Sequence, residues 1–353
     1  MTAGANLFEQ QARNRRLTVA WLALFILFFA WLGFGGDLAI YLATAARTEG
    51  QVPYRFPLLG VAVTTIAAIV AWVSWRKGPQ QVLWSTGARE LTAPQTFEEK
   101  QLVNVVEEMA IAAGLPKPRV YVIDDPDPNA FATGRDALTA CIAVTTGLLA
   151  VVNREELQAV VAHEMSHVRN LDVRLMTLIA ALVGVIVVLS NGMGRMLGMG
   201  GRGAVRGGGG GLGGLFGGRG KKGGEGLAIA AVVIFVLWII TLILAPIISQ
   251  IMAMAVSRDR EYLADAGGAE LTRNPGALAS ALEKIETHEA PTTSIKAGAA
   301  HLCIADPLGK DVNLKEGRFA DLMATHPPMA KRIVRLKGMA FQQLKAAGQA
   351  PTT

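Results

Sequence analysis

His163, Glu164 and His167, in the stretch VVAHEMSHVRNLD (160–172), are the residues of this chain whose types and spacing can do chemistry. Two histidines four apart share one face of a helix, one turn from each other. Both imidazoles can then reach a single Zn²⁺ at about 2.0–2.1 Å. Glu164 follows the first histidine by a quarter turn. It can act on water as a general base without binding the metal itself. The plainer reading is a helix whose histidines cap it or pair with acids. Three residues at this spacing outweigh that reading.

A hydrolytic zinc site takes three protein ligands and keeps a fourth position open. One layout, HExxHxxGxxH, supplies the third ligand just downstream, and Asn170 and Val173 exclude it here. The other layout takes a glutamate from a later helix. SRDREYLADAGG (257–268) offers Glu261 as that ligand. Asp265, four residues on, shares its face and can hydrogen-bond the far nitrogen of a ligating histidine, fixing the tautomer. Alone, this segment reads as an exposed charged helix with i,i+4 pairs. Beside the two histidines, the ligand reading is the stronger one. Asp172 can support a histidine in the same way or simply face water at a membrane boundary. A closed structural site, as in a non-catalytic membrane scaffold, needs a fourth protein ligand. Cys141 and Cys303 are far from the motif in sequence and form no CxxC pair.

The elements that position these groups are partly readable. Asn153 can cap the helix that carries the histidines, with Glu156 three residues on completing a capping box. TFEEKQLVNVVEEMAIAAG (96–114) has helical spacing at Phe97, Val103, Val106 and Ala110, and ends at Gly114. RVYVI, NAFAT and CIAVTT are β-prone runs between Asp, Pro and Gly turns, which predicts a small antiparallel sheet. Within it, Asn129, Ala130, Phe131 and Ala132 can form an edge strand that pairs with a substrate backbone, or an ordinary internal strand. His326 can donate to the oxyanion of a tetrahedral intermediate, or merely start the helix after Pro327 and Pro328. His288 and His301 read as surface or packing residues.

The rest of the chain is unusual for a soluble enzyme. Its 353 residues are 51% hydrophobic and 18% charged. LTVAWLALFILFFAWLGFGG (17–36) and FPLLGVAVTTIAAIVAWVSW (56–75) are long enough to span a bilayer. The first is too long, and too far from the ATA at 43–45, for a cleaved signal peptide. Two further apolar runs lie at 173–190 and 227–256, giving about four transmembrane helices, with 173–190 marginal in length. Four parts follow: an N-terminal transmembrane hairpin (1–77), a first catalytic part (78–172), a second hydrophobic hairpin (173–256) and a second catalytic part (257–353). The Gly-rich segment 192–226 is a flexible linker. Its GRGKK is no phosphate loop, because Leu215 and Lys222 stand where Gly and Ser/Thr are required.

The net charge is +6. Its basic residues cluster beside apolar runs, which points to the lipid bilayer as partner and not to nucleic acid. Arg13, Arg15, Arg16, Arg76 and Lys77 flank the first hairpin on one side, which the positive-inside rule makes cytoplasmic. Arg195, Arg202, Arg206, Arg219, Lys221 and Lys222 oppose that rule if 173–256 spans twice.

HExxH, then a hydrophobic hairpin, then SRDREYLAD and THPPMAKRI, resembles the HtpX-type membrane zinc endopeptidases, gluzincins related to the CAAX prenyl proteases. PNAFATG (128–134) resembles the family's strand beside the active-site helix. The resemblance covers nearly the whole chain. It implies a mostly helical α+β, zincin-like catalytic domain. It implies one Zn²⁺ held by His163, His167 and Glu261, with Glu164 as catalytic base. It also implies a site at the cytoplasmic face of the bacterial inner membrane, degrading misfolded or damaged membrane proteins or unfolded polypeptides in quality control. The long basic Gly-rich linker departs from the family. The prenyl proteases carry more than four transmembrane helices, which disfavours their specific activity here.

Overall fold

The computed structural model describes residues 7–47, 56–183, 229–230, 232–241, 258–288, 292–295, 297–305, 307 and 327–348. The chain forms two compact units. The first comprises Met1–Thr18, Ser74–Val183 and Ile251–Thr353; the second comprises Val19–Val73 and Gly184–Gln250.

The described residues of the second unit are mostly apolar helix. Two helices, α1 (Leu7–Arg47) and α2 (Leu58–Ser85), contain stretches long and apolar enough to cross a membrane. Asp37, directly after the first apolar run, accepts on its carboxylate from the Gly60 N–H at 2.6 Å. That bond satisfies one of the orphan donors that open a helix. A further apolar helix, Val232–Thr241, places the Trp238 Nε1–H on the Leu32 carbonyl at 2.6 Å.

The first unit is built on a four-stranded sheet: β1 (Arg89–Glu90), β2 (Arg119–Ile123), β3 (Ala130–Thr133) and β4 (Cys141–Thr145), in the order β1-β2-β4-β3. The expected antiparallel arrangement holds for β1 with β2 and β3 with β4. The central pair β2–β4 is parallel, with Arg119 opposite Cys141, so the sheet is mixed. Both faces of the sheet are covered. Val120, Val122, Ala130, Ala132, Ile142 and Val144 enter one core; Tyr121, Ile123, Phe131, Cys141 and Ala143 enter another. Burial on both faces explains why β2 and β4 read as continuous apolar runs rather than alternating ones.

On the first face lie α3 (Phe97–Ala113) and α5 (Arg154–Arg169). Thr96 caps α3 through the Glu99 N–H, and Gly114 closes it in the left-handed conformation, φ 66°. Its buried face is Leu102, Val105, Val106, Met109 and Ala110, while Phe97 is exposed. A short helix, α4 (Thr146–Val151), leads from β4 into α5. Two more helices, Arg258–Thr272 and Pro275–Thr287, and a C-terminal helix, Met329–Ala346, complete the layer.

Residues 172–183, the start of the third apolar run, are helical. Val173, Met176 and Ala180 are buried in the first unit's two cores. The expected boundary between residues 172 and 173 therefore falls at the start of a helix that packs with the catalytic part.

Candidate metal and catalytic site

The helix bearing the two histidines is fixed at its start. Asn153 and Glu156 form the capping box read from the sequence. The Glu156 carboxylate also accepts from Ser280 Oγ at 2.7 Å and Lys284 Nζ at 2.7 Å, tying α5 to helix Pro275–Thr287. Burial pushes the Glu156 carboxyl up, but Lys284, Ser280 and the Asn153 N–H outweigh it and hold it below the ordinary glutamate value.

Helix Arg258–Thr272 crosses α5 at two glycines. A Cβ on Gly267 would stand 2.1 Å from Ser166 Oγ; one on Gly268 would stand 3.0 Å from His163 N and 3.1 Å from its Cα. Glycine here lets the two backbones come close enough for side chains one turn away to meet.

What they meet around is a carboxylate. His163 Nε2 is 3.6 Å from one oxygen of Glu261, and His167 Nε2 is 3.6 Å from the other. The imidazoles stand nearly perpendicular, 4.9 Å apart. One ligand atom from each of the three residues lies within 4.8 Å of the others, and all three residues are buried. Donors about 2.0–2.1 Å from a tetrahedral metal stand roughly 3.4 Å from each other, so these spacings fit zinc. The far nitrogens face further acids. His163 Nδ1 is 3.0 Å from Asp265 Oδ1, a close contact rather than an aligned hydrogen bond, and His167 Nδ1 is 3.2 Å from Asp172 Oδ2. Asp172 is 3% exposed, so it lies against the histidine and not in water.

Charge supports the same reading. Glu164, Glu261, Asp265 and Asp172 are buried, with Arg332 and Arg260 against them. Buried acids outnumber the two guanidiniums around the imidazoles, an excess of negative charge that favours a bound cation. In the chain alone that excess falls on the imidazoles: burial pushes His167 down, and Asp172 and Glu261 overcome it and raise it to about 10.

Glu164 is different. It is 1% exposed, and neither carboxylate oxygen has a hydrogen-bond partner among the described residues. Burial pushes its pKa up. The two histidines and the Ala132 N–H pull it down without cancelling that rise, and Glu261 adds to it. A carboxylate with an elevated proton affinity and no bond to break is suited to take up a proton.

Arg332 is the residue that sequence reasoning missed. It is fully buried in the C-terminal helix, and it donates to both oxygens of Asp265, from Nε at 2.9 Å and Nη2 at 2.7 Å. Its Nη1 donates to the Ile304 carbonyl at 2.7 Å and lies 3.2 Å from Glu261 Oε2. A single planar group therefore orients both acids of the Glu261–Asp265 pair. An arginine inside the HPP segment was visible, but nothing local marks it as buried.

The candidate strand 129–132 is only partly open. It lies at the end of the sheet. The Asn129 side chain is engaged with the Ala305 main chain, donating from Nδ2 at 3.0 Å and accepting its N–H at 3.4 Å. Phe131 bridges Cys303, and Ala130 O accepts from the Ile304 N–H at 2.9 Å. His301 is buried, and its Nε2 donates to the Met176 carbonyl at 3.3 Å. His326 lies outside the described residues.

Residues 96–340 match the model of peptidase family M48. A "Protease HtpX homolog" of Lactiplantibacillus plantarum is 42% identical over 335 residues, covering 94% of this chain and all of the relative. Another, of Caldanaerobacter subterraneus subsp. tengcongensis, is 38% identical over 341 residues, covering 94% of this chain and 98% of the relative. A solved structure titled "Crystal Structure of S. mikatae Ste24p" aligns at 18% identity and TM-score 0.44, over 85% of this chain and 62% of that one. The family match contains both helices of the His–His–Glu cluster, and the relatives extend the likeness through the apolar helices: the chain belongs to peptidase family M48, as a membrane peptidase of the HtpX type.

Proposed function

We propose that this chain is a zinc-dependent endopeptidase of the bacterial cytoplasmic membrane, with its site facing the cytoplasm, that degrades misfolded or damaged membrane proteins. The observation that carries the reading is the pair of Nε2 atoms, each 3.6 Å from a different oxygen of Glu261. His163, His167 and Glu261 would hold the ion. Zn²⁺, when bound, supplies a Lewis acid that polarises the scissile carbonyl and acidifies water. Glu164 accepts the proton of the attacking water on a carboxylate oxygen and returns it to the leaving amine. Asp265 and Asp172 hold the imidazoles with Nε2 toward the ligand position, and Arg332 holds Asp265. The substrate backbone would lie extended beside the strand Asn129–Ala132. Substrates are unfolded or membrane-embedded polypeptides in the surrounding bilayer.

The test is casein degradation by the purified full-length chain, with and without a chelator, together with zinc content. Glu164→Gln keeps its zinc but loses about 10²–10⁴ in rate or more. Glu261→Ala loses the zinc as well. Full zinc occupancy in Glu261→Ala overturns the ligand assignment, and wild-type rates in Glu164→Gln overturn the base.

A further inference from the structure

We propose that Asn14, at the foot of the first apolar helix, is a positioning residue of the metal site, acting through Asp172 on His167. The inference rests on the zinc reading given above. In sequence Asn14 looks like one more polar residue in a basic flank. In the fold, Arg13, Arg15 and Arg16 are exposed while Asn14 is 4% exposed. Its side-chain nitrogen donates to Asp172 Oδ1 at 2.7 Å and to the Asn170 carbonyl at 3.0 Å. Both partners are acceptors, so the orientation of the amide is determined. The other oxygen of the same Asp172 carboxylate lies 3.2 Å from His167 Nδ1. A continuous chain of contacts thus runs from α1 through Asp172 to an imidazole whose far nitrogen faces the ligand position.

The backbone between the two clamped groups gives Asn14 something to hold. The chain leaves α5 at Asn170, passes through Leu171 at φ 59°, and starts the next helix at Asp172. Leucine is disfavoured in the left-handed region and persists there only where its surroundings over-determine it. Asn14 bonds the residue on each side of Leu171. Removing that clamp lets the turn relax and carries the Asp172 carboxylate away from His167. Gln11, one turn earlier on α1, docks on the same corner through the Arg169 carbonyl at 2.8 Å but does not touch Asp172.

The measurement is zinc affinity of the detergent-solubilised full chain, by competition with a chelating dye at fixed pH. Loss of a group that supports a ligating histidine weakens metal binding about 10–100-fold. Asn14 acts one bond further out, so Asn14→Leu is expected to weaken zinc by about 10-fold, the low end of that range. Asn14→Asp, which sets one carboxylate against another without changing size, weakens it at least as much and serves if the leucine variant does not fold. Gln11→Ala leaves affinity unchanged. In an Asp172→Ala background, Asn14→Leu has no further effect, because its route to His167 is already cut. Wild-type affinity in both Asn14 variants overturns the proposal, as does an equal loss in the Asp172→Ala background or an equal loss in Gln11→Ala. A wild-type chain that takes up no zinc overturns the metal reading itself, and this inference with it.

Discussion

Arg332 and Glu164 show two fates of a buried charge. Neither Glu164 oxygen has a hydrogen-bond partner among the described residues, whereas Arg332 is paired on every side. Removing one member of a buried, hydrogen-bonded ion cluster leaves the others uncompensated, at a cost of about 3–5 kcal/mol. Arg332→Ala should therefore lower the urea stability of the solubilised chain by that amount and release zinc, since Asp265 and Glu261 lose their shared donor. Arg332→Lys keeps the charge but not the fork, and should recover part of the stability without restoring zinc affinity. Equal zinc affinity in all three chains would show that Arg332 does not orient the ligand. Of the site, His163 with His167 and Glu261 with Asp265 were legible because four-residue spacing puts each pair on one helix face, and Glu164 because it adjoins the first histidine. Arg332 and Asn14 were not. Each acts across a long sequence separation, and a charged or polar residue near an apolar run normally faces water.

The elements divide along the same line. The capping box of α5 was legible because both partners lie within four residues. The parallel β2–β4 pair was not, because strand composition does not reveal which neighbours pair or in which direction. The apolar run 173–190 is marginal in length as a membrane segment; Val173, Met176 and Ala180 at its start are core residues, and buried helices and membrane spans share a composition. Two predictions belong at this scale. Gly268→Ala gains about 1 kcal/mol of helix propensity but drives a methyl onto the His163 backbone. Overpacking costs about 1–3 kcal/mol, so the variant should be less stable and bind zinc more weakly. A rise in its unfolding midpoint would mean that the two helices separate without cost. The second concerns Glu156, whose folded pKa is depressed. Such a group stabilises above its unfolded value of about 4.3, and that stability is lost as pH falls through the lower folded value. Glu156→Gln should be less stable than wild type at pH 7, and the gap should narrow as pH falls below about 4.3 toward the depressed folded value. A gap that stays constant with pH would assign the loss to packing alone.

At the scale of the whole molecule, the chain is a membrane peptidase whose catalytic unit is made from three separate segments. Its orientation is open to a direct test. With Arg13, Arg15, Arg16, Arg76 and Lys77 inside, a single cysteine introduced at position 90 should not react with an impermeant maleimide applied to intact cells. The two native cysteines are buried and form no disulfide, so they add little background. Labelling at position 90 would reverse the assigned orientation. A second probe within 203–220 reports on which side the basic glycine-rich segment lies: protection there would mean that 173–256 does not cross the membrane twice.

The division of the proposed metal ligands between two helices also sets an order of events in time. During synthesis the ribosome delivers His163, Glu164 and His167 first. Glu261 follows only after roughly 90 further residues, and at about 5–20 residues per second that is a delay of about 5–20 s. Arg332, which holds the last ligand in place, emerges later still. A nascent chain with only its first histidines made has two of three ligands and cannot hold the ion tightly. On the zinc reading the chain is thus made inert and becomes a protease only once the helix Met329–Ala346 has been translated and docked, after the apolar segments between the ligands have been made.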